Sequence, residues 1–587
     1  MTKYFHKKPA LITFLILVII INLKAIVQGS WGEIGTDSDD VMRLIQIRDF
    51  FAGQHWFDLT QYRMGPGVGT DMHWSRIVDL PMIILIGFFD IFLPYEWAEK
   101  IGISLWPPLC SGLVIWGVFT GVRHLGGKFS YIFAALLLGF LLVWHYRFAP
   151  GGIDHHNLQL ALIAISIGHA LDPQLRPKNY IISGVALALS VGIGMEVYAF
   201  VGIITGYMTV AWLIAGDKAS NATQGFGLAF AITLAAIFIT MISPKNYSVI
   251  HCDAFSLITL CAGAAGGIGL MFAAKLTSDK SFLWRFGSVV VLGLICLVIL
   301  AAQAPQCLAN PLDSLPADVK ELWLGNIQEA QPLLSGQEDV PLIIAYALGP
   351  TSIAILVALR QIFRKNKIQQ YSLLAVLIAV SLALSLYQSR FHVFSGIIAL
   401  FILAPWIASI FEKENETEGT RLKYIGALAL SLPYIWCFPV MLVMAAQDED
   451  TSGNEEARKV CYSQNVFDVL SRLPEGRVVI ASNGTPHVLK NTAHKTLSGN
   501  YHRNADGILS NIRIFMQGGD KSLELITAHS VDYLHVCRTT TETSEYTENN
   551  EHGLLSRLID RDVPIFLEPI GEDLEDGAVT LYKVIKP

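Results

Sequence analysis

Residues 10–29 read ALITFLILVIIINLKAIVQG, and this stretch decides the class of fold. It is almost wholly apolar and has the length of about 20 residues that a helix needs to cross a hydrocarbon layer of about 30 Å. The 587 residues are 52% hydrophobic and only 16% charged, and the mean hydropathy is +0.46. This composition excludes an ordinary soluble globular protein. The sequence therefore predicts a polytopic α-helical membrane protein.

Comparable apolar runs recur along the chain, and we predict about thirteen transmembrane helices. They lie near residues 10–29, 101–122, 129–147, 157–171, 180–195, 197–215, 226–243, 255–274, 284–303, 342–362, 371–387, 391–411 and 423–446. The apolar stretch 81–95 is short, contains Asp90 and is bounded by Pro81 and Pro94, so we predict an interfacial or re-entrant helix there. We expect the first segment to be a retained span, because no clear small-residue cleavage site of a signal peptide follows it.

Basic residues set the predicted orientation of these spans. Successive spans cross the membrane in opposite directions, so every second loop lies on the same side. Lys and Arg concentrate in one such set of short loops, and the positive-inside rule assigns that side to the cytoplasm. The basic residues of these loops are Lys3, Lys7, Lys8, Arg123, Lys128, Arg176, Lys178, Lys218, Lys275, Lys280, Arg285, Arg360, Arg364, Lys365 and Lys367. We therefore expect a cytoplasmic N-terminus and an outer C-terminus, in the inner membrane of a bacterium.

The composition changes near residue 447, which predicts two domains. Residues 1–446 form the transmembrane domain, with long outer loops at about 30–100 and 304–341. Residues 447–587 contain no long apolar run and none of the twelve Trp, and their strand-like and helix-like segments predict a periplasmic α/β domain.

Four cysteines lie in regions that this topology places outside, where the compartment is oxidising. Cys461 and Cys537 both belong to the C-terminal domain, while Cys252 and Cys307 lie in outer loops. Disulfides form in such compartments, but spacing alone leaves both pairings open. The remaining cysteines fall in spans and are expected to be core thiols.

Two separated clusters place acidic residues and histidines beside predicted spans. Thr36-Asp37-Ser38-Asp39-Asp40 follows the first span, and Gly151-Gly152-Ile153-Asp154-His155-His156 joins two later ones. Uncompensated charge beside lipid costs several kcal/mol, so such clusters mark functional sites that are paired or metal-bound. Carboxylate and imidazole are suitable ligands for a divalent cation.

Each cluster also has a structural explanation. Acidic residues such as Asp37 and Asp39 suit a helix N-terminus, and His73 beside Trp74 suits the membrane interface. Further candidates are Glu329, which in isolation is a solvated surface carboxylate, and Arg390, which either clamps a lipid phosphate or snorkels to the interface. All of these residues fall on the predicted outer side, which favours one outward-facing site.

These motifs resemble those of the catalytic subunit of oligosaccharyltransferase and its GT-C superfamily of polyprenyl-lipid glycosyltransferases. Asp37-Ser38-Asp39-Asp40-Val41-Met42-Arg43 is similar to the acidic motif after the family's first span, Asp154-His155-His156 to its second-loop motif, and Asn326-Ile327-Gln328-Glu329-Ala330-Gln331-Pro332 to its mobile-loop motif. The resemblance implies the following roles: Asp37, Asp154 and His156, with His73 in addition, as ligands of Mg²⁺ or Mn²⁺; Asp39 and Glu329 as catalytic carboxylates; and Arg390 as the residue that binds the donor phosphate.

The chain departs from the oligosaccharyltransferase pattern in one respect. Family members that glycosylate protein carry Trp-Trp-Asp in the outer domain to read the acceptor sequence, whereas here residues 481–487 read ASNGTPH. The acceptor is therefore a glycan, a lipid or a differently read protein. His502 and Arg503 are candidate contacts to it.

The resemblance implies a metal-assisted glycosyltransferase that moves a sugar or oligosaccharide from a polyprenyl-phosphate or diphosphate donor at the outer face of the membrane. Its expected partners are the donor lipid, the acceptor and membrane lipid, with no nucleic acid. Protein N-glycosylation remains one alternative, and a flippase of lipid-linked sugars another. Transporters carry ionisable residues near mid-bilayer, whereas here the charges gather at one edge beside long loops, which favours an enzyme over a flippase.

Overall fold

The computed structural model describes residues 7–35, 37–335, 340–414, 420–446 and 459–585. The chain forms two compact units. The helical unit comprises residues 1–35, 74–311 and 332–444. The sheet unit comprises residues 36–73, 312–331 and 445–587. The predicted boundary near residue 446 stays a prediction; the sheet unit also draws in two segments from earlier in the chain.

The helical unit is built from apolar helices, as the sequence predicts. Their bounds are Lys7–Val27, Arg76–Asp90, Tyr95–Leu125, Ser130–Trp144, His156–Ala170, Pro177–Val191, Tyr198–Ala215, Asp217–Met241, Leu257–Thr277, Phe282–Gln303, Val340–Phe363, Ile368–Ser385, His392–Glu414, Thr420–Leu430 and Pro433–Ala446. Within the described ranges, nine helices are long and apolar enough to cross a bilayer, or ten if the bent pair Leu422–Leu430 and Pro433–Ala445 is one span.

The class of fold is therefore confirmed, while the number thirteen is not. Three predicted spans, near 129–147, 157–171 and 180–195, are helices of 15 residues each. A helix of that length is about 22 Å long, which is shorter than the hydrocarbon layer. The stretch 81–95 falls largely within the 15-residue helix Arg76–Asp90.

Close backbone contact fixes the helix that begins at His156. A Cβ added to Gly168 would overlap the carbonyl oxygen of Gly117, and one added to Gly117 would overlap the backbone of Ala164. Small residues at such a crossing let two helices touch backbone to backbone. Helix His156–Ala170 is thus held rigidly against Tyr95–Leu125.

The sheet unit contains a mixed sheet and confirms the α/β character of the C-terminal region. The strands are β1 (Thr60–Gln61), β2 (Thr70–Asp71), β3 (Arg477–Val479), β4 (Lys495–Thr496), β5 (Val531–Cys537), β6 (Leu567–Leu574) and β7 (Val579–Val584). β1 pairs with β2, and the other five form a sheet in the order β4-β3-β5-β7-β6. β3 runs parallel to β4 and β5, whereas β7 is antiparallel to β5 and β6. The helices are Ser38–Phe51, Ala317–Leu322, Gln464–Ser471, Thr485–Asn491, Ala505–Met516, Gly519–Ala528, Thr541–Asn549 and Leu554–Ile559.

Residues 312–331 complete the core of the sheet unit. Val319 is fully buried and Trp323 is 8% exposed, in one apolar cluster with Leu497, Ile508 and other residues of the C-terminal region. The indole Nε1 of Trp323 donates to Oδ1 of Asn500 at 2.6 Å. The C-terminal region has no Trp of its own, but it packs around one that residues 312–331 supply.

Both cysteine pairs that the sequence leaves open are disulfide-bonded. Cys252 is joined to Cys307 in the helical unit, and Cys461 is joined to Cys537 in the sheet unit. Cys110, Cys261, Cys296 and Cys437 are free thiols.

The buried carboxyl group of Glu542 gives the sheet unit a pH dependence. Its oxygens accept hydrogen bonds from the backbone N–H of Ser482 at 3.3 and 3.2 Å and from the hydroxyl of Tyr546 at 2.9 Å. Burial nevertheless raises the pKa of Glu542 from 4.5 to about 7. The folded state therefore holds this proton more tightly than the unfolded state does, and the free energy of unfolding falls as pH rises between these two values.

We expect Glu542→Gln to remove this penalty. The amide keeps an oxygen for Ser482 and Tyr546 but carries no charge, so the variant gains up to about 3 kcal/mol over the wild type at pH 8 and little at pH 4.5. Thermal unfolding of the full-length chain from pH 4.5 to pH 8 measures this difference. Parallel wild-type and variant curves would contradict the assignment.

Candidate functional site

The turn that carries Asp154 is built by backbone contacts within the helical unit. Gly151 has a φ of +86°, a conformation that favours glycine. Its N–H donates to the carbonyl of Ile103 at 3.0 Å, and its carbonyl accepts from the N–H of Gly35 at 2.9 Å. The amide of Asn157 donates to the carbonyl of Gly152 at 2.9 Å. These hydrogen bonds hold the turn that precedes helix His156–Ala170.

Asp154 lies at the centre of a chain of carboxylates and imidazoles. Its Oδ1 is 2.5 Å from Nδ1 of His155, and its Oδ2 accepts from Nδ1 of His156. On its other side, Nε2 of His155 lies 2.9 Å from Oε1 of Glu196. These side chains are between 4% and 15% exposed, and Asp154, His155 and His156 offer ligand atoms within 4.8 Å of one another.

The electrostatics of this cluster keep Asp154 ionised. Burial alone raises the pKa of its carboxyl group, but His155 and His156 outweigh burial and hold the pKa well below its usual value. Burial lowers the pKa of His155, and the carboxylates of Asp154 and Glu196 more than reverse this and raise it above 6.5. Asp154 thus carries a negative charge that both imidazoles contact.

The residues present fit a divalent cation. Nε2 of His156 is buried and has no hydrogen-bond partner among the residues that the structure describes, although its ring is oriented through Nδ1 by Asp154. A ring held at one nitrogen by a carboxylate, with the other nitrogen open, is the usual arrangement of a metal-binding histidine. With these contacts Asp154 orients the ring, and Asp154 would join Nε2 of His156 on one ion only after its hydrogen bond to Nδ1 is broken. Among the described residues, Asp154, His155 and His156 form the group able to hold a metal ion.

Arg390 also belongs to the helical unit. It lies in the short 3-10 helix Ser389–Phe391, which leads into helix His392–Glu414. The hydroxyl of Ser381 donates to the carbonyl of Phe391 at 2.6 Å. The half-buried guanidinium is therefore carried on a segment tied to the preceding helix.

Sequence reasoning missed Arg147. This arginine is 8% exposed, its Nε donates to the hydroxyl of Tyr146 at 2.9 Å, and its carbonyl accepts from Asn157 at 3.2 Å. Its charge acts on the ring of His156. A signal was present, because Arg147 ends the predicted span 129–147 on the side assigned as outer, where the positive-inside rule expects few basic residues.

In the sheet unit, Asp37 occupies a structural role that the sequence allows. It is the N-cap of helix Ser38–Phe51, and its Oδ1 accepts from the backbone N–H of Asp39 at 3.0 Å. Asp39 and Asp40 occupy the first turn, where carboxylates interact favourably with the helix dipole. Capping the helix does not exclude metal binding, so Asp37 as a ligand stays a prediction.

The sheet unit brings His73 to the candidate acceptor residues. The ring centroids of His73 and His502 are 4.6 Å apart, and Nη1 of Arg503 is 3.1 Å from Oδ2 of Asp71. Glu329 lies in the short 3-10 helix Gln328–Ala330 of the same unit. The predicted ligand set thus draws Asp37 and His73 from the sheet unit and the other ligands from the helical unit, and its joint assembly stays a prediction.

Comparison with solved structures identifies the fold. The chain is similar to the archaeal oligosaccharyltransferase AglB from Archaeoglobus fulgidus in complex with an inhibitory peptide and a dolichol-phosphate, with a TM-score of 0.68 and 14% identity over 94% of this chain and 72% of that one. It is also similar to the Archaeoglobus fulgidus oligosaccharyltransferase tethered with an acceptor peptide that contains the NVT sequon (TM-score 0.62, 16% identity, 91% and 69% covered). The same enzyme in complex with Zn and sulfate gives a TM-score of 0.62, 15% identity and coverage of 93% and 70%.

At these identities the likeness establishes the fold alone. The chain shares the fold of the archaeal oligosaccharyltransferase, as the resemblance of its motifs predicts. No family model matches the sequence, and no curated protein matches it.

Proposed function

We propose that this protein is a membrane glycosyltransferase that transfers a sugar or oligosaccharide from a polyprenyl-phosphate or diphosphate donor to an acceptor at the outer face of the membrane. The observation that carries the proposal is the Asp154–His156 pair with its open imidazole nitrogen, on a fold like that of oligosaccharyltransferase. Both disulfides lie in segments that the predicted topology places outside, which supports the outer location.

In this proposal Asp37, Asp154 and His156 would hold Mg²⁺ or Mn²⁺, with His73 as a further ligand. The bound cation would offset the charge that develops on the donor phosphate. Arg390 binds the same phosphate, since a guanidinium matches phosphate oxygens with paired N–H donors. Arg147, buried beside His156, adds positive charge to this region.

The transfer removes one proton from the acceptor and replaces the bond between the sugar and the phosphate with a bond between the sugar and the acceptor. A carboxylate, Asp39 or Glu329, takes the proton from the acceptor's hydroxyl or amide group. The acceptor atom then bonds to the anomeric carbon of the sugar, and the bond between that carbon and the phosphate oxygen breaks. The electron pair of that bond leaves with the polyprenyl phosphate.

A transfer assay with and without a chelator tests the proposed function. The full-length chain in nanodiscs is incubated with a labelled lipid-linked sugar extract and a membrane fraction that supplies acceptors. We expect label to move to an acceptor, to stop moving after EDTA, and to move again when Mg²⁺ or Mn²⁺ is restored. Transfer that EDTA does not affect would reject the metal role, and lipid movement across the bilayer without transfer would reject the enzyme.

A further inference from the structure

Glu196 is a buried acid that the proposed mechanism has not yet used. It lies in the short 3-10 helix Met195–Val197, directly before helix Tyr198–Ala215. Its side chain is 12% exposed, and it is 41 residues from His155, whose Nε2 it contacts at 2.9 Å. Burying an ionised acid is costly unless the acid is paired. In a membrane protein, a buried ionisable residue commonly belongs to a functional site.

Glycine at position 194 makes room for this acid. A Cβ added to Gly194 would lie 2.7 Å from Oε2 of Glu196 and 3.0 Å from Nε2 of Gln159. A larger residue at position 194 would therefore require the ends of these two side chains to shift. The carboxylate of Glu196 and the amide of Gln159 converge on the same small region.

Gln159 provides an independent sign that this region is built for a polar ligand. Its side chain is fully buried, and neither its Oε1 nor its Nε2 has a hydrogen-bond partner among the described residues. It follows His155 by four residues and His156 by three, so all three lie along one side of the helix start. A buried amide without partners costs about 1–3 kcal/mol, and a bound oxygen atom would remove part of that cost by accepting from Nε2.

The contacts of His155 give Glu196 a route to Asp154. Nδ1 of His155 is held by Asp154 and Nε2 by Glu196, so the ring cannot rotate without losing both partners. Since Nδ1 of His155 contacts Oδ1 of Asp154 while His156 contacts Oδ2, the direction of the Asp154 carboxylate depends on where Glu196 holds the ring.

We propose that Glu196 is a positioning residue of the metal centre, which acts through His155 to fix the carboxylate of Asp154. The inference rests on the proposed function, because it assumes that Asp154 binds a divalent cation. Residues one step removed from a metal orient its ligands, and their loss commonly weakens metal affinity by about 10–100-fold. Gln159 supplies an amide that would bind an oxygen atom of a ligand next to Glu196 and His155.

A titration of the full-length chain in nanodiscs with Mn²⁺ tests the inference without any donor lipid. Electron paramagnetic resonance measures the free Mn²⁺ that remains at each step. We expect Glu196→Ala to weaken Mn²⁺ binding by about 10–100-fold. Glu196→Gln should recover most of the affinity, because its amide oxygen still accepts from Nε2 of His155. In a His155→Ala background, Glu196→Ala should have little further effect, since residues that act through one partner are not additive.

Asp172→Asn serves as the matched control. Asp172 is a buried carboxylate of the same unit whose partners include Arg176 at 2.6 Å and Asn179 at 2.6 Å, so its loss lowers stability without changing Mn²⁺ affinity of the folded fraction. Wild-type affinity in folded Glu196→Ala, or fully additive effects with His155→Ala, would overturn the inference alone. If the wild type binds no Mn²⁺, the metal role in the proposed function fails, and the inference fails with it.

Discussion

Asp154→Asn is expected to lower the rate of sugar transfer by at least about 100-fold. The amide retains the shape of the side chain but loses the charge that His155 and His156 hold in place. A cation at a reacting phosphate contributes several kcal/mol, and each 1.36 kcal/mol is a factor of ten in rate. Initial rates with a labelled lipid-linked donor, at an Mg²⁺ concentration that just saturates the wild type, measure the loss.

The control for this substitution is Asp279→Asn. Asp279 is an exposed acid whose side chain is 66% accessible and pairs with Lys280 at 2.8 Å, so transfer by this variant should equal that of the wild type. Full activity in folded Asp154→Asn would be incompatible with a metal ligand at this position. Recovery of Asp154→Asn by high Mg²⁺ would instead indicate that the remaining ligands still assemble a weaker site.

Trp323→Ala is expected to destabilise the sheet unit by about 3–5 kcal/mol. The substitution removes a large side chain from the apolar core and leaves a cavity, and such changes cost about this amount. Oδ1 of Asn500 also loses the hydrogen bond of 2.6 Å that it accepts from the indole N–H. Hydrogen exchange across residues 312–331 and across β3 and β5 measures the loss, since exchange protection there should fall together.

One further variant separates packing from hydrogen bonding, and another serves as a control. Trp323→Phe retains most of the apolar volume and should cost less than the alanine variant. Trp284→Ala removes an indole that is 70% exposed and should leave exchange in the sheet unit unchanged. Unchanged exchange in Trp323→Ala would mean that residues 312–331 are not part of this core.

Local patterns were sufficient to predict the class of fold. Apolar runs predicted the helices, and alternating short segments predicted strands that the structure has as Arg477–Val479, Val531–Cys537 and Val579–Val584. The number of spans was harder to predict, because three apolar runs form helices of 15 residues and hydropathy alone does not give a helix its end.

The candidate site was predictable only where its residues are neighbours in sequence. Asp154 and His156 were found because they lie two residues apart in an unusual position. Glu196 meets His155 across 41 residues, and Trp323 meets Asn500 across 177. Such pairings depend on how helices and strands pack, which no period or composition of a single sequence reveals.

The composition of the sheet unit has a consequence for biosynthesis. A ribosome releases residues 36–73 and 312–331 long before the strands that they join. Apolar side chains such as Val319 and Trp323 therefore stay exposed until nearly the whole polypeptide has been translated. Contacts that close such long loops also form slowly. Premature termination after the last membrane helix would leave that apolar surface permanently exposed, a target for chaperones and proteases.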